Sequence, residues 1–186
     1  MSSSIRAAVA AVVLIVPVVL ELAWPAFGDH VAGQEIFAVS QLAGWLLLLS
    51  VCRRGMVPAK RSARIGRRSV LVGCVLQILF AGVYAITALD SEPLEATFVF
   101  FLLGFLALCV GGLSWGTSLL RSGASLAGGG LMATAVAGVL AMLLGMDPWH
   151  DVFLLSSYAA WTLVGRGFDA IPARQVPRTD RIGSAG

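Results

Sequence analysis

Basic and acidic residues occupy different gaps between the apolar runs of this chain, and this separation constrains its fold more than any other feature. The thirteen Lys and Arg residues fall in alternate gaps, whereas eight of the ten Asp and Glu residues fall in the other gaps or at their edges. Membrane proteins carry an excess of Lys and Arg in their cytoplasmic segments. The pattern therefore predicts an all-α, polytopic integral membrane protein.

The chain contains enough apolar sequence for six membrane-spanning helices. Of its 186 residues, 58% are apolar and 12% are charged, whereas charged residues make up about a quarter of a soluble domain. A spanning helix needs about 20 apolar residues. Because six helices use most of the chain, any functional site must lie in the bundle or its short loops. We predict helices at about 5–24, 36–52, 69–89, 96–120, 126–146 and 149–165, then a disordered cytoplasmic tail at 166–186.

Six crossings place both termini in the cytoplasm and agree with the charge of every gap. Five crossings would put either the tail or the first basic residues on the wrong side.

The first run follows a short basic start that includes Arg6, as in a signal peptide, but the cleavage pattern between Leu22 and Gly28 is not convincing. We interpret this run as a retained helix. The dominance of Arg over Lys suggests a bacterial source, so we expect the cell inner membrane.

The densest charge cluster lies between the second and third runs. The segment Arg53–Arg68 holds seven positive charges and no acid. Its position beside membrane helices favours anionic lipid headgroups as its partner, rather than nucleic acid. The alternative is that this basic loop docks an acidic cytoplasmic protein, as a regulatory or immunity-type partner would. The sequence does not distinguish the two.

Small residues recur at four-residue spacing in several runs, including Gly112 and Gly116 in the fourth run. Helices in lipid associate where small residues let their backbones approach closely. We expect these residues to pack helices within one chain, with homo-oligomerisation through Gly112 and Gly116 as the alternative.

Several polar side chains lie in the halves of the runs that are farthest from the basic segments. Glu21 stands about one turn from the end of the first run, Gln41 about two turns into the second, and Tyr84 about one turn from the end of the third. A carboxylate inside an apolar run is costly and often functional. Together with Tyr158 and Trp24, these residues predict a polar binding pocket that opens outward. In the alternative interpretation, Glu21 reaches the headgroup region and the others join helices.

Both histidines lie in acidic gaps, with Asp147 and Asp151 around His150. Groups of this kind can bind Zn²⁺ or transfer protons. Neither HxxxH nor HExxH occurs, so we predict no metal centre; His30, His150 and Asp147 are the residues that would form one. For catalysis, the candidates are Glu21, Asp151 and His150.

Neutral residues occupy the deepest positions of the runs. Gln77 is the deepest strongly polar residue, and we predict that it joins two helices. No ionisable Asp, Glu, Lys, Arg or His falls at mid-run depth, which argues against ion-coupled transport by the chain alone.

The three cysteines lie in or beside apolar runs and are predicted to be free, buried thiols. The Gly128–Gly130 run lacks the Lys-Ser or Lys-Thr of a phosphate loop, and we predict no cofactor.

Three functions remain open at this point. The first is a non-catalytic bundle that binds or passes a small neutral or lipid-like molecule, alone or as the membrane subunit of a complex. The second is a membrane-embedded enzyme acting on a lipid or isoprenoid, with Glu21 or Asp151 as general acid and aromatic residues lining an apolar cavity. The third is a regulatory membrane protein that holds a cytoplasmic partner through its basic segment.

Overall fold

The structure, a computed structural model, describes residues 1–24, 26, 31–87, 94–144 and 149–170. Over these described residues, the predicted all-helical fold with six helices is confirmed. Five helices, α1 to α5, are long and apolar enough to cross a membrane, whereas α6 is less apolar. The chain is thus a membrane protein by the length and composition of these helices. The six helices are α1 (Ser3–Ala23), α2 (Val31–Arg54), α3 (Arg61–Thr87), α4 (Leu94–Arg121), α5 (Ser125–Leu144) and α6 (Trp149–Asp169).

The helices form a closed ring in chain order. Each helix packs mainly against the helices before and after it, and α6 returns to pack against α1. Large apolar side chains cover the outside of the ring; Val39 is 64% exposed and Leu143 is 77% exposed. Buried side chains from all six helices, including Leu14 and Trp115, form one core. An apolar exterior of this extent is suited to contact with lipid.

The start of α1 and the end of α6 meet at one end of the ring, which we call the basic end. Asp169 accepts hydrogen bonds from the backbone amides of Ser3 and Ser4 at 3.0 and 2.8 Å. The end of α6 also reaches the start of α5, since a Cβ atom built on Gly167 would overlap the backbone nitrogen of Ala127. Helix α6 therefore runs antiparallel to both of its neighbours.

The segment interpreted as a basic loop is largely helical, which corrects that interpretation. Helix α2 continues to Arg54 and α3 already begins at Arg61, so only residues 55–60 connect them. Arginine is a good helix former. The helices can therefore extend beyond their apolar runs into the basic sequence.

Arg67 differs from the other basic residues of this segment. Its Nε donates a hydrogen bond to the Cys52 carbonyl oxygen at 3.1 Å, and its Nη2 donates to the Arg53 carbonyl oxygen. The last carbonyls of a helix have no partner within the helix. Arg67 supplies donors to two of them at the end of α2, while Arg64 and Arg68 are exposed.

Gly112 and Gly116 pack against α5 of the same chain. A Cβ atom on Gly112 would lie 3.0 Å from the Leu131 carbonyl oxygen, and one on Gly116 would lie 2.9 Å from the Gly128 carbonyl oxygen. These glycines therefore allow close approach of α4 and α5. Homo-oligomerisation through the same pair would require α5 to move away.

The end of α6 includes the first residues of the predicted tail. The helix ends at Asp169 rather than near residue 165, because its last turn packs against α1 and α5. The rest of the predicted tail, 171–186, lies outside the described residues. Cys52, Cys74 and Cys109 are buried and free, as predicted.

Candidate functional site

Gln41 of α2 and Tyr158 of α6 meet inside the ring, although α1 lies between their helices in the ring order. Gln41 is 5% exposed and Tyr158 is 8% exposed, and the Tyr158 hydroxyl lies close to the polar end of the Gln41 side chain. Trp45 donates a hydrogen bond from Nε1 to Oε1 of Gln41 at 2.9 Å. The rings of Trp45 and Tyr158 meet edge-on, with centroids 6.4 Å apart and planes at 75°. We call Gln41, Trp45 and Tyr158 the inner cluster.

Helical spacing explains how the inner cluster is presented. Gln41 and Trp45 are four residues apart, so their side chains lie on one face of α2. On α6, Trp161 follows Tyr158 by three residues and shares its face. Trp161 is 1% exposed and belongs to the same core. Two of the five tryptophans are therefore buried beside the few polar groups of the ring interior.

The Nε1–H group of Trp161 is buried and has no hydrogen-bond partner among the described residues. Such groups are uncommon in folded proteins, because leaving a buried donor unpaired costs about 1–3 kcal/mol. The indole of Trp115 shows the usual arrangement, since its Nε1 donates to the Met56 carbonyl oxygen at 3.1 Å. Trp161 follows Tyr158 by about one turn of α6, and both belong to the same buried core.

The inner cluster lies well inside the bundle. Gln41 is about 15 Å along α2 from Val31, and Tyr158 is about 14 Å along α6 from Trp149, at about 1.5 Å per residue. The surrounding core consists of apolar side chains such as Leu14. A charge would lose most of its hydration here at high cost, whereas a neutral polar group loses less. The chemistry of the cluster therefore suits neutral molecules.

Glu21 and Tyr84 lie at another level, near the end of the ring opposite the basic end. The Tyr84 ring packs edge-on against Phe37 at 5.7 Å and against Phe80 at 5.9 Å. Glu21 is exposed, and its carboxylate lies within electrostatic range of the Tyr84 hydroxyl. Phe37 precedes Gln41 by one turn of α2. Four of the five residues of the predicted pocket thus form two pairs at different depths.

The other candidate residues are not part of the inner cluster. Trp24 lies just beyond α1 and is 54% exposed, and Asp151 is half-buried in the first turn of α6. The side chain of His150 and the whole of His30 and Asp147 lie outside the described residues. Within the part of the chain that is described, no three His, Cys, Asp or Glu side chains are close enough to hold a metal ion.

Gln77 joins two helices, as predicted. Its Nε2 donates a hydrogen bond to the Phe101 carbonyl oxygen at 3.1 Å, linking α3 to α4. A second link was not predicted: the Ser157 hydroxyl donates to the Thr134 carbonyl oxygen at 3.1 Å, and the Thr134 hydroxyl donates to the Ser157 carbonyl oxygen at 3.3 Å. These bonds fix α6 against α5 and so position Tyr158.

The sequence did not single out Trp45 and Trp161. Both stand in apolar runs, where a tryptophan is usually part of the core. The four-residue spacing between Gln41 and Trp45 was the available signal, since it places an amide and an indole on one helical face. The unpaired Trp161 donor depends on its surroundings in the fold and has no local signal.

Comparison with known proteins gives no match: no family model matches the chain, and no curated protein or solved structure is significantly similar to it.

Proposed function

We propose that this protein is a non-catalytic membrane bundle that binds, or passes between its two ends, a small neutral or lipid-like molecule. It would do so alone or as the membrane subunit of a complex. One observation carries the proposal. An amide, an indole and a phenol, from helices that are not adjacent in the ring, converge in an apolar interior. Binding sites for small molecules combine a mostly apolar lining with a few converging polar groups.

Binding is favoured over catalysis by the composition of the inner cluster. Its members, Gln41, Trp45 and Tyr158, are neutral groups that orient a ligand through hydrogen bonds and ring contacts. The general acids proposed for the enzyme alternative lie elsewhere: Glu21 is exposed and Asp151 is in the first turn of α6. An apolar substrate held by the inner cluster would not reach them without moving along the bundle.

We also propose that α6 is a sixth crossing, with the basic end and both termini in the cytoplasm and the bundle in the cell inner membrane. The hydrogen bonds between Asp169 and the start of α1 support an even number of crossings. They place the start of the first helix and the end of the last helix at the same end of the bundle. Alkaline phosphatase fusions test this topology. We expect activity after Asp90 and no activity after Lys60 or Gly186; activity after Lys60 would contradict it.

Anionic lipid is the partner that we propose for the basic end. Six basic side chains of the segment Arg53–Arg68 are exposed beside the membrane helices, and clusters of this kind attract anionic headgroups. Docking of an acidic cytoplasmic protein is the alternative use of the same surface. The six are Arg53, Arg54, Lys60, Arg61, Arg64 and Arg68.

Identification of bound molecules tests the binding function directly. The protein would be purified from its membrane in mild detergent, and the molecules that remain bound would be identified by native mass spectrometry. We expect a neutral or lipid-like molecule on the wild type, and its loss from the double variant Gln41→Leu with Tyr158→Phe. The matched control is Tyr84→Phe, which removes the other tyrosine hydroxyl at the second level.

The control variant decides how far the site extends. If Tyr84→Phe retains the molecule, the inner cluster alone forms the site; if it loses the molecule, the site includes both levels. Retention of the molecule by the folded double variant would contradict the proposal. Thermal unfolding in the same detergent establishes that each variant is folded.

A further inference from the structure

We infer that the inner cluster selects molecules whose polar group accepts hydrogen bonds but donates none, such as a ketone or ester carbonyl on an apolar body, and that Trp161 Nε1 donates to that group. This inference rests on the proposed binding function and specifies its ligand class. It depends on the unpaired Trp161 donor together with the hydrogen bonds within the inner cluster.

The polar groups of this region contain more donors than acceptors. The indoles of Trp45 and Trp161 only donate, the Gln41 amide has two donor hydrogens and one acceptor oxygen, and the Tyr158 hydroxyl does both. Oxygen Oε1 of Gln41 already accepts from Trp45 at 2.9 Å. Trp161 Nε1 has no acceptor in the described part of the chain. The group that completes this arrangement must bring an acceptor.

A carbonyl oxygen meets this requirement and leaves no donor of its own without a partner. It has two lone pairs and no hydrogen of its own that would need a partner. An alcohol adds an O–H donor to a region that already has an excess of donors. A carboxylate would have to give up its hydration in an apolar core, and the inner cluster contains no cation to compensate it.

The apolar surroundings define the rest of the molecule. Leu14, Val18 and Leu48 belong to the same buried core as Trp45, Tyr158 and Trp161. Burial of apolar surface against such side chains supplies most of the affinity, and the hydrogen bond supplies the discrimination. The expected ligand is therefore an apolar molecule with one carbonyl.

Three probes of equal chain length separate these contributions: 2-undecanone, 2-undecanol and undecane. The protein would be labelled with ¹⁵N at its indole nitrogens, reconstituted in lipid nanodiscs and titrated with each probe. The Trp161 resonance is assigned as the one missing from Trp161→Phe. We expect 2-undecanone to shift this resonance to saturation and undecane to bind without shifting it.

The substitution Trp161→Phe keeps an aromatic ring and removes the donor. We expect it to weaken 2-undecanone binding about tenfold more than it weakens undecane binding, since one hydrogen bond accounts for about this factor. We expect 2-undecanol to bind the wild type less tightly than 2-undecanone. The indole resonance of Trp115 is the internal control, because its donor is already paired with Met56.

The outcomes distinguish this inference from the function on which it rests. If 2-undecanone and undecane both bind but saturating ketone leaves the Trp161 resonance unmoved, the donor has another partner, such as water, and the inference is wrong while binding stands. Equal ketone affinity of wild type and Trp161→Phe would overturn the inference in the same way. If no probe binds and no molecule is carried through purification, both proposals fall.

Discussion

Asp169 accepts a hydrogen bond at Oδ2 from the backbone amide of Ser4 at 2.8 Å, which joins the last turn of α6 to the first turn of α1. Its Oδ1 accepts from the amide of Ser3 at 3.0 Å, and the Ser2 hydroxyl accepts from the amide of Ile5 at 3.3 Å. The first amides of a helix lack partners within it. Asp169 therefore acts as a cap for α1 that is supplied by another helix, and it closes the ring at the basic end.

Removing this cap should destabilise the bundle. We expect Asp169→Ala to lower the free energy of unfolding by about 1 kcal/mol, the usual effect of losing a capping side chain. Asp169→Asn should cost less, because its amide oxygen still accepts one hydrogen bond. Unfolding by denaturant in detergent micelles measures both. A variant Asp169→Ala as stable as the wild type would show that the cap contributes nothing.

The cap also predicts a dependence on pH. Burial acts to raise the pKa of Asp169, but hydrogen bonds from Ser4, Ser3 and Ser2 outweigh it and lower this pKa to about 2. In the unfolded chain the pKa of an aspartate is about 3.9. The carboxylate therefore stabilises the fold fully above about pH 4, and this contribution is lost as the pH falls towards 2.

Comparing the wild type with Asp169→Asn separates the contribution of the Asp169 carboxylate from that of other carboxyl groups. The difference in unfolding free energy between wild type and Asp169→Asn should be largest at about pH 5 and should shrink as the pH is lowered from about 4 to about 2. A difference that stays constant over this range would mean that the charge of Asp169 is not involved.

Substitution of Arg67 should destabilise the fold more than the same substitution of its neighbour Arg68. Arg67→Gln removes donors to the carbonyl groups of Cys52 and Arg53, and we expect it to lower the free energy of unfolding by about 1–3 kcal/mol. The exposed Arg68 should tolerate the same change within about 0.5 kcal/mol. Thermal unfolding compares the two.

Binding of anionic lipid should depend on the exposed residues Arg64 and Arg68. We expect Arg64→Gln with Arg68→Gln to weaken binding of phosphatidylglycerol, seen by native mass spectrometry, without changing the binding of phosphatidylcholine. If the double variant binds both lipids as the wild type does, the surface is not a lipid site, and an acidic protein partner becomes the better interpretation.

Neighbouring glycines at the start of α5 should respond in opposite directions to alanine. A Cβ atom on Gly128 would lie 2.7 Å from the Gly116 carbonyl oxygen and 2.8 Å from the Leu120 nitrogen, whereas one on Gly129 would meet nothing within 4 Å. We expect Gly128→Ala to destabilise the bundle by about 1–3 kcal/mol. Gly129→Ala should stabilise α5 by up to about 1 kcal/mol through helix propensity.

This pair also tests the close contact of α4 and α5. The thermal midpoint of each variant, measured in the same detergent, is sufficient. Equal midpoints for the two variants would indicate that α4 and α5 are farther apart at Gly116 and Gly128 than the structure places them.

The sequence predicted the polar side chains that are costly to place in lipid. Gln41, Gln77 and Tyr158 stood out because polar groups are rare in apolar runs, and each has a partner on another helix. The division of the predicted pocket residues into two levels was not predictable. Position along a helix indicated similar depths for Glu21, Gln41 and Tyr84, but only the packing of Phe37 against Tyr84 separates the two levels.

The functional residues that sequence reasoning missed are those defined by what surrounds them. Asp169 falls in a stretch whose composition indicates a tail, and its role depends on α1 being adjacent. Arg67 is indistinguishable by sequence from Arg64 and Arg68, yet it alone of the three is drawn against the end of α2. The same holds for the unpaired donor of Trp161.

The sequence by itself determined that the chain is helical, that it belongs in a membrane and where its apolar helices lie, because a run of about 20 apolar residues has few alternatives to a spanning helix. The tertiary structure decided the order of the ring and the meeting of α2 with α6. In lipid, the outer face of a helix is as apolar as its buried face, so the pattern of apolar residues does not mark which side packs against which neighbour.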